Sequence, residues 1–215
     1  MAKLVLEDLQ CKGLMIYQSD SGYRFTSDAV ALANTVTIKN NGVLVDLCSG
    51  SGVVGILANA KNRIKHVYMV EVQASLVEMC KKTIEYNKID NITVIHKPLQ
   101  NVHKLINSHV DTVVCNPPYY KVDKEVRQGS EEQKIARHEI SVTLEEVIAE
   151  ASAILKQGGK FYMCHKISRL ADIIENLRKY DLEPKELKIL KESKNDEVII
   201  IKAIKKGEVG LKLVQ

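Results

Sequence analysis

Little in this chain points to a metal-stapled, secreted or membrane-embedded protein. Its five cysteines (Cys11, Cys48, Cys80, Cys115 and Cys164) form no Cys-x-x-Cys pair and no cysteine–histidine cluster of zinc spacing. No metal site is therefore expected. The count is odd, and Cys115 and Cys164 lie in apolar runs, so both are expected to be core thiols of a reduced, cytoplasmic protein. No apolar run reaches the roughly 20 residues that cross a bilayer. Residues 1–10 carry two acids and lack the apolar core of a signal peptide. Internal repeats and low-complexity tracts are absent. So is a strong excess of either charge: 31 Lys and Arg against 27 Asp and Glu leave +4. A pI near 8.7 is mild for a dedicated nucleic-acid module, so any basic footprint must be local.

What is present is an alternation of short apolar runs and amphipathic segments. With 215 residues, 45% of them apolar, the chain suits one domain. Residues 1–26 read as irregular apart from a short strand at 14–17. A helix over 29–38 is capped by Ser27 or Asp28, and Asn40-Asn41-Gly42 breaks it. Strands follow at 43–47, 66–71, 92–96, 110–115 and 160–165. Helices are expected at 53–60, 74–86, 143–155 and 170–180, with a short helix or loop at 99–107. Thr143-Leu144-Glu145-Glu146 is a capping box, and Gly158-Gly159 is expected to stop the helix it opens. Strands at 186–190 and 197–204 close the chain as a hairpin. The pattern predicts an α/β fold: a mostly parallel seven-stranded sheet, helices on both faces, and an antiparallel edge strand.

The most informative stretch is Val110-Asp111-Thr112-Val113-Val114-Cys115-Asn116-Pro117-Pro118-Tyr119. A valine-rich strand ends in two prolines, which lack the N–H that continued pairing needs. Each proline also holds its predecessor extended. The result is a stiff platform at the carboxyl end of a strand, where open α/β sheets bind ligands. The Asn116 side-chain carbonyl and the Pro117 main-chain carbonyl are adjacent acceptors. Such a pair suits a planar –NH2 group, and Tyr119 offers a ring on which that group's own ring could stack. Packed differently, the same residues would make only a proline-stiffened turn.

Two further features surround the platform. Val43-Leu44-Val45-Asp46-Leu47 runs into Cys48-Ser49-Gly50-Ser51-Gly52 and then a helix, an arrangement that brings backbone N–H groups close to a ligand. Glu71 ends the next strand, 25 residues after Asp46, near the spacing of about 20 for a ribose-binding acid. Residues 120–140 show no clear period. They mix Lys121, Lys124, Arg127, Arg137 and His138 with acids, and read either as a solvated loop or as a lid that touches substrate phosphates.

Together, Asp46-x-Cys48-x-Gly50-x-Gly52, Glu71 and Asn116-Pro117-Pro118-Tyr119 resemble the class I S-adenosylmethionine-dependent methyltransferases, which implies a Rossmann-like core. The segments Tyr23-Arg24-Phe25-Thr26-Ser27-Asp28, Asp46-Leu47-Cys48-Ser49-Gly50, Val70-Glu71-Val72-Gln73 and Arg137-His138-Glu139 narrow the resemblance. With Thr143-Leu144-Glu145, they are similar to the bacterial tRNA1(Val) adenine-37 N6-methyltransferases, over about residues 15–190.

The resemblance implies S-adenosylmethionine as cofactor and tRNA as substrate. It divides the domain into a cofactor-closing segment (1–40), a core (41–205) and a tail (206–215). Cys48, Ser49, Gly50 and Gly52 would line the methionine part, and Asp46 would fix its ammonium or the loop. Glu71 would hold the ribose and Val72 would pack on adenine. Phe25, Thr26 and Asp28 would close the site. Asn116, Pro117 and Tyr119 would hold the target amine. Cys48 stands where the familiar pattern has a glycine. Where it has an aspartate for the adenine amine, this chain has Lys97-Pro98-Leu99, and Gln100 or a backbone carbonyl could substitute, with Leu99 beside it in the cofactor site. Other planar amines remain open as targets, namely guanine N2 of ribosomal RNA and a protein glutamine amide. So does a non-catalytic RNA-binding module with a decayed cofactor site.

Overall fold

A sheet of eight strands, covered on both faces, carries the molecule. The computed structural model describes residues 3–22, 24–106, 109–119, 142–190 and 197–214. Strands β1 (Leu4–Asp8) and β2 (Met15–Ser19) form a separate antiparallel hairpin. The main sheet comprises β3 (Gly42–Leu47), β4 (Ile64–Glu71), β5 (Ile92–His96), β6 (Val110–Cys115), β7 (Leu155–Lys166), β8 (Leu182–Leu190), β9 (Val198–Lys205) and β10 (Lys212–Val214). Their order is β10-β8-β9-β7-β6-β3-β4-β5. Strands β3 to β7 are mutually parallel. The connections reverse direction at β3, between β4 and β6, which opens a crevice at the carboxyl ends of those strands.

Helices fill both faces. α1 (Ser27–Thr35), α2 (Val53–Lys61) and α3 (Ala74–Tyr86) pack on the layer that includes Leu44, Met69 and Val114. α4 (Leu144–Ile154) and α5 (Leu170–Lys179) pack on the opposite layer, with Val45, Val113 and Phe161. Every residue of β3 and β6 is buried. That burial explains their near-continuous apolar runs, and each fully buried valine or leucine contributes roughly 1.5–3 kcal/mol. Thr143 caps α4 with the expected reciprocal bonds to Glu146.

Three expectations need correction. Among the described residues the sheet has eight strands, because the supposed tail supplies β10, which pairs parallel with β8. The antiparallel strand is β9, and it lies inside the sheet between β7 and β8, so the edge strand is parallel to its neighbour. Residues 4–8 are a strand where irregular chain was expected; their pairing partner β2 lies close in sequence, but alternation over so few residues is a weak signal.

Smaller differences have local causes. The Gly158-Gly159 pair does not stop α4. Leu155 already leaves the helix and pairs with Val110, residues 156–159 bulge out, and pairing resumes between Lys160 and Thr112. Gly158 permits that bulge with φ +73°. Thr26 occupies the position preceding α1, without a side-chain cap bond. Asp28, expected as a possible cap, is engaged elsewhere.

Candidate active site

The crevice at the strand ends holds a cleft of about 660 Å³, counting its open mouth. It runs from β6 outward to β5. At the β6 end it is lined by Asn116, Pro118, Val142, Cys48 and Gly50. Val70 and Glu71 form its middle. Val72, Gln73, Leu76, Lys97, Pro98 and Leu99 line the β5 end.

The loop after β3 is shaped by backbone geometry. Cys48 has φ +55° and Gly50 φ +57°, so the chain reverses tightly there. Gly52 begins α2 with φ +90°, and a Cβ on it would lie 2.7 Å from the Cys80 sulfur. Gly52 is thus required by helix packing, whereas Gly50 borders the cleft.

Glu71 ties the loops together. Its Oε2 accepts the Gly50 N–H at 2.8 Å, and its Oε1 accepts the N–H groups of Val72 and Gln73, both at 2.9 Å. A carboxylate has about four acceptor positions, so one remains on Oε2 for a ligand hydroxyl. Burial pushes the Glu71 carboxyl up, opposed by those three backbone bonds.

Asp46 lies behind the loop, 1% exposed. Its Oδ2 accepts the Gly55 N–H at 2.9 Å, while Oδ1 has no partner among the described residues. Burial, aided by the nearby Glu71, pushes Asp46 up to about 8 against the Gly55 bond. The hydroxyls of Ser49 and Ser51 are likewise buried and unpartnered among the described residues. Three unsatisfied polar atoms around one glycine turn are costly unless a ligand completes them.

At the β6 end, the Asn116 side chain is half-buried and Pro117 and Pro118 are buried. The Tyr119 hydroxyl lies 2.5 Å from Asn116 Oδ1 and 3.2 Å from Asp28 Oδ2. It therefore links the platform to the start of α1. The Tyr119 ring packs on His165 with centroids 5.3 Å apart, and the Lys166 ammonium sits 5.7 Å from the Tyr119 centroid. His165 is fully buried. Its Nδ1 accepts the Lys166 N–H at 2.8 Å, and its Nε2 has no partner among the described residues. Burial, with Arg169 adding to it, pushes His165 down to about 4, so the imidazole is neutral near pH 7.

The fold thus gathers Cys48, Gly50, Glu71, Val72, Leu99 and Asn116 into one cleft. Asp46 and Ser49 stand behind it. Phe25 donates its N–H to Gln18, and Asp28 reaches Tyr119 rather than the cleft lining. The Gln100 amide donates to Glu146 of α4, and Gln100 is not among the residues that line the β5 end of the cleft. Lys121, Lys124, Arg127, Arg137 and His138 lie outside the described residues.

Sequence reasoning did not single out His165 or Glu150. The buried Glu150 carboxylate accepts the N–H groups of Asn101 and His103, at 3.2 and 2.6 Å, and so fixes the turn that carries Leu99. A lone acid inside an amphipathic helix gives no local sign of such a role. His165 ends an apolar strand and reads there as one more core residue.

S-adenosylmethionine fits this set. The cleft is elongated, a buried carboxylate with a spare acceptor position lies at its middle, and a glycine turn with three unsatisfied polar atoms adjoins one end. Glu71 would meet the ribose hydroxyls, and the turn from Cys48 to Gly52, with Asp46 behind it, would meet the charged methionine end.

Comparison with known proteins agrees with this geometry. The family model "Methyltransferase small domain" matches residues 21–179. A tRNA1(Val) (adenine(37)-N6)-methyltransferase of Dyadobacter fermentans is 23% identical over 152 residues, which are 70% of this chain and 61% of that protein. The chain thus spans about six tenths of that relative. Among solved structures, a predicted O-methyltransferase of Agrobacterium tumefaciens superposes with a TM-score of 0.67 at 20% identity, covering 86% of this chain and 84% of the other. The tRNA m1G37 methyltransferase of M. jannaschii also superposes at 0.67, with 17% identity, 96% of this chain and 58% of the other. The crevice, its acid and the matched family model lead to one assignment: this chain belongs to the small-domain methyltransferase family.

Proposed function

We propose that this chain transfers the methyl group of S-adenosylmethionine to N6 of an adenine in tRNA, with adenine-37 of tRNA(Val) as the target, in the cytoplasm. The observation that carries the reading is Asn116 and Pro118 bordering the same cleft as Glu71 and Gly50. An amine acceptor and a cofactor cradle are thereby within one continuous space. The D. fermentans relative supports the choice of adenine in tRNA.

The cofactor supplies a methyl already activated by its sulfonium, so no covalent enzyme intermediate is required. The residues of this chain act by alignment and charge. The Asn116 amide oxygen has two lone pairs; Tyr119 occupies one in this state, which leaves the other for an amine N–H. The Pro117 carbonyl, held stiff between two rings, offers the second acceptor. Bonds from the amine to both oxygens favour a tetrahedral nitrogen and stabilise the positive charge that develops on it, and the surplus N–H proton then passes to water. The Tyr119 hydroxyl, which also lies within reach of Asp28, holds Asn116 in place, and that fixed geometry removes much of the entropic barrier. The target base must be unstacked to reach this depth, which is easiest in a single-stranded loop.

The test is incubation with methyl-labelled cofactor and unmodified tRNA, followed by nucleoside mass analysis. Label in N6-methyladenosine supports the proposal. Label in N2-methylguanosine, or in a glutamine of added protein substrate, replaces the target. Cofactor binding with no transfer to any of these rejects the enzymatic reading.

A further inference from the structure

The β5 end of the cleft has an unusual donor–acceptor balance. Its polar side chains are those of Gln73 and Lys97; the rest of that end is apolar, from Val72, Leu76, Pro98 and Leu99. Glu71 is the one carboxylate among the described lining residues, and three backbone N–H groups already engage it. Gln100, next in sequence, donates to Glu146 and is not among the lining residues. No side-chain hydrogen bond or ion pair engages Lys97 or Gln73 among the described residues. The Lys97 ammonium can only donate, and the Gln73 amide can present either its oxygen or its nitrogen.

The direction of the cofactor follows from the fold. Its methyl must face Asn116 on β6 and its ribose must meet Glu71 on β4. The base therefore lies further out, at β5. A purine there meets an obligate donor, an ambivalent amide and apolar walls. No side chain in this set is a dedicated acceptor for a 6-amino group.

We propose that the base end of this cleft recognises the purine by its ring acceptors and apolar faces, and accepts 6-oxopurine cofactor analogues about as well as adenine ones. The inference rests on the cofactor reading of the cleft given above. Lys97 donates to a ring nitrogen or to a 6-oxygen. Gln73 turns its oxygen to a 6-amino group and its nitrogen to a 6-oxo group. A site built around an acceptor for that amine would instead disfavour the oxo analogue by about a hundredfold, because the acceptor would face an oxygen.

Calorimetric titration of the whole chain with S-adenosyl-L-homocysteine and S-inosyl-L-homocysteine decides the matter without any turnover. Dissociation constants within about fivefold of each other are expected. Inosyl binding weaker by a hundredfold or more, with adenosyl binding intact, overturns this inference and leaves the methyltransferase reading standing. Absence of heat with either compound overturns the cofactor reading and this inference with it. Two variants sharpen the result. Lys97→Met is expected to weaken the inosyl compound about fivefold and the adenosyl compound less. Pro98→Asp supplies the missing acceptor and is expected to open a preference for adenosyl of about tenfold. Equal effects of Lys97→Met on both ligands, or no change in preference with Pro98→Asp, count against the assignment.

Discussion

The two ends of the central strands treat carboxylates in opposite ways. At the amino end of β6, Asp111 is fully paired: it accepts the Val43 N–H at 2.8 Å, the Lys39 ammonium at 2.9 Å and the Lys156 ammonium. Burial alone would raise it, but the bonds from Lys156, Val43 and Lys39 outweigh burial and hold it below its ordinary value. At the carboxyl end of the adjacent β3, Asp46 has one backbone bond and one bare oxygen. It is pushed up to about 8. One end is finished by the chain itself, and the other keeps buried polar atoms without a partner among the described residues. Buried polar groups without partners therefore mark the functional rim more sharply than burial or charge does.

The comparison can be broken at five points. The largest effect is expected at Asn116→Ala, which removes the side-chain oxygen proposed to accept from the amine. Methyl transfer to tRNA should fall by about 10³-fold while calorimetric binding of S-adenosyl-L-homocysteine stays nearly intact. Retained turnover would remove Asn116 from the mechanism.

Asp111→Ala comes next. It strands Lys156 and the Val43 N–H at a site where the carboxylate is buried but its lysine partners are partly in water. A stability loss of about 3 kcal/mol by urea unfolding, with cofactor affinity unchanged, is expected. A loss of cofactor affinity would mean the two ends are not independent. The folded Asp111 value is depressed, so its contribution is present above the ordinary carboxylate value and fades as pH falls below about 4.

Asp46 has the opposite sign. Its raised folded value means that its contribution is intact below about 3.8 and is lost as pH rises towards about 8. Asp46→Asn should therefore stabilise the free protein at pH 8, by about 2 kcal/mol after allowing for the burial cost of an amide. The same variant should bind S-adenosyl-L-homocysteine less tightly. Between pH 5 and 8 the advantage of Asp46→Asn in melting temperature should shrink steadily towards the acid end; parallel curves would refute the assignment.

Two smaller effects complete the series. Glu71→Gln replaces an acceptor oxygen with a donor that opposes a backbone N–H, so cofactor affinity should drop about tenfold by calorimetry. Thr143→Ala removes the α4 cap and should cost about 1 kcal/mol in thermal or urea unfolding with little change in binding.

Much of this architecture is legible in the residues themselves. β5 and β6 begin and end where the apolar runs do, and the capping box marks the start of α4 within a residue. Cys48, Gly50, Glu71 and Asn116 meet in one cleft because strand ends converge at a reversal of connection, which alternating β and α already imply. What was not legible depends on partners distant in the chain. Nothing near residue 182 indicates that β8 lies outside β9, and nothing in residues 206–215 tells a tail from an edge strand of three residues. The Tyr119–Asp28 bond joins positions 91 residues apart, so Asp28 read as a helix cap. Lys97 and Gln73 look like surface residues until β4 and β5 are placed side by side.

The inserted antiparallel strand also sets an order of events during synthesis. Both neighbours of β8, namely β9 and β10, are encoded after it. A nascent chain leaving the ribosome exposes β8 with α5 to pack on but no strand partner, and β7 has no neighbour on that side until β9 arrives. The outer strands can therefore join the sheet only once β9 is available to pair with both β7 and β8.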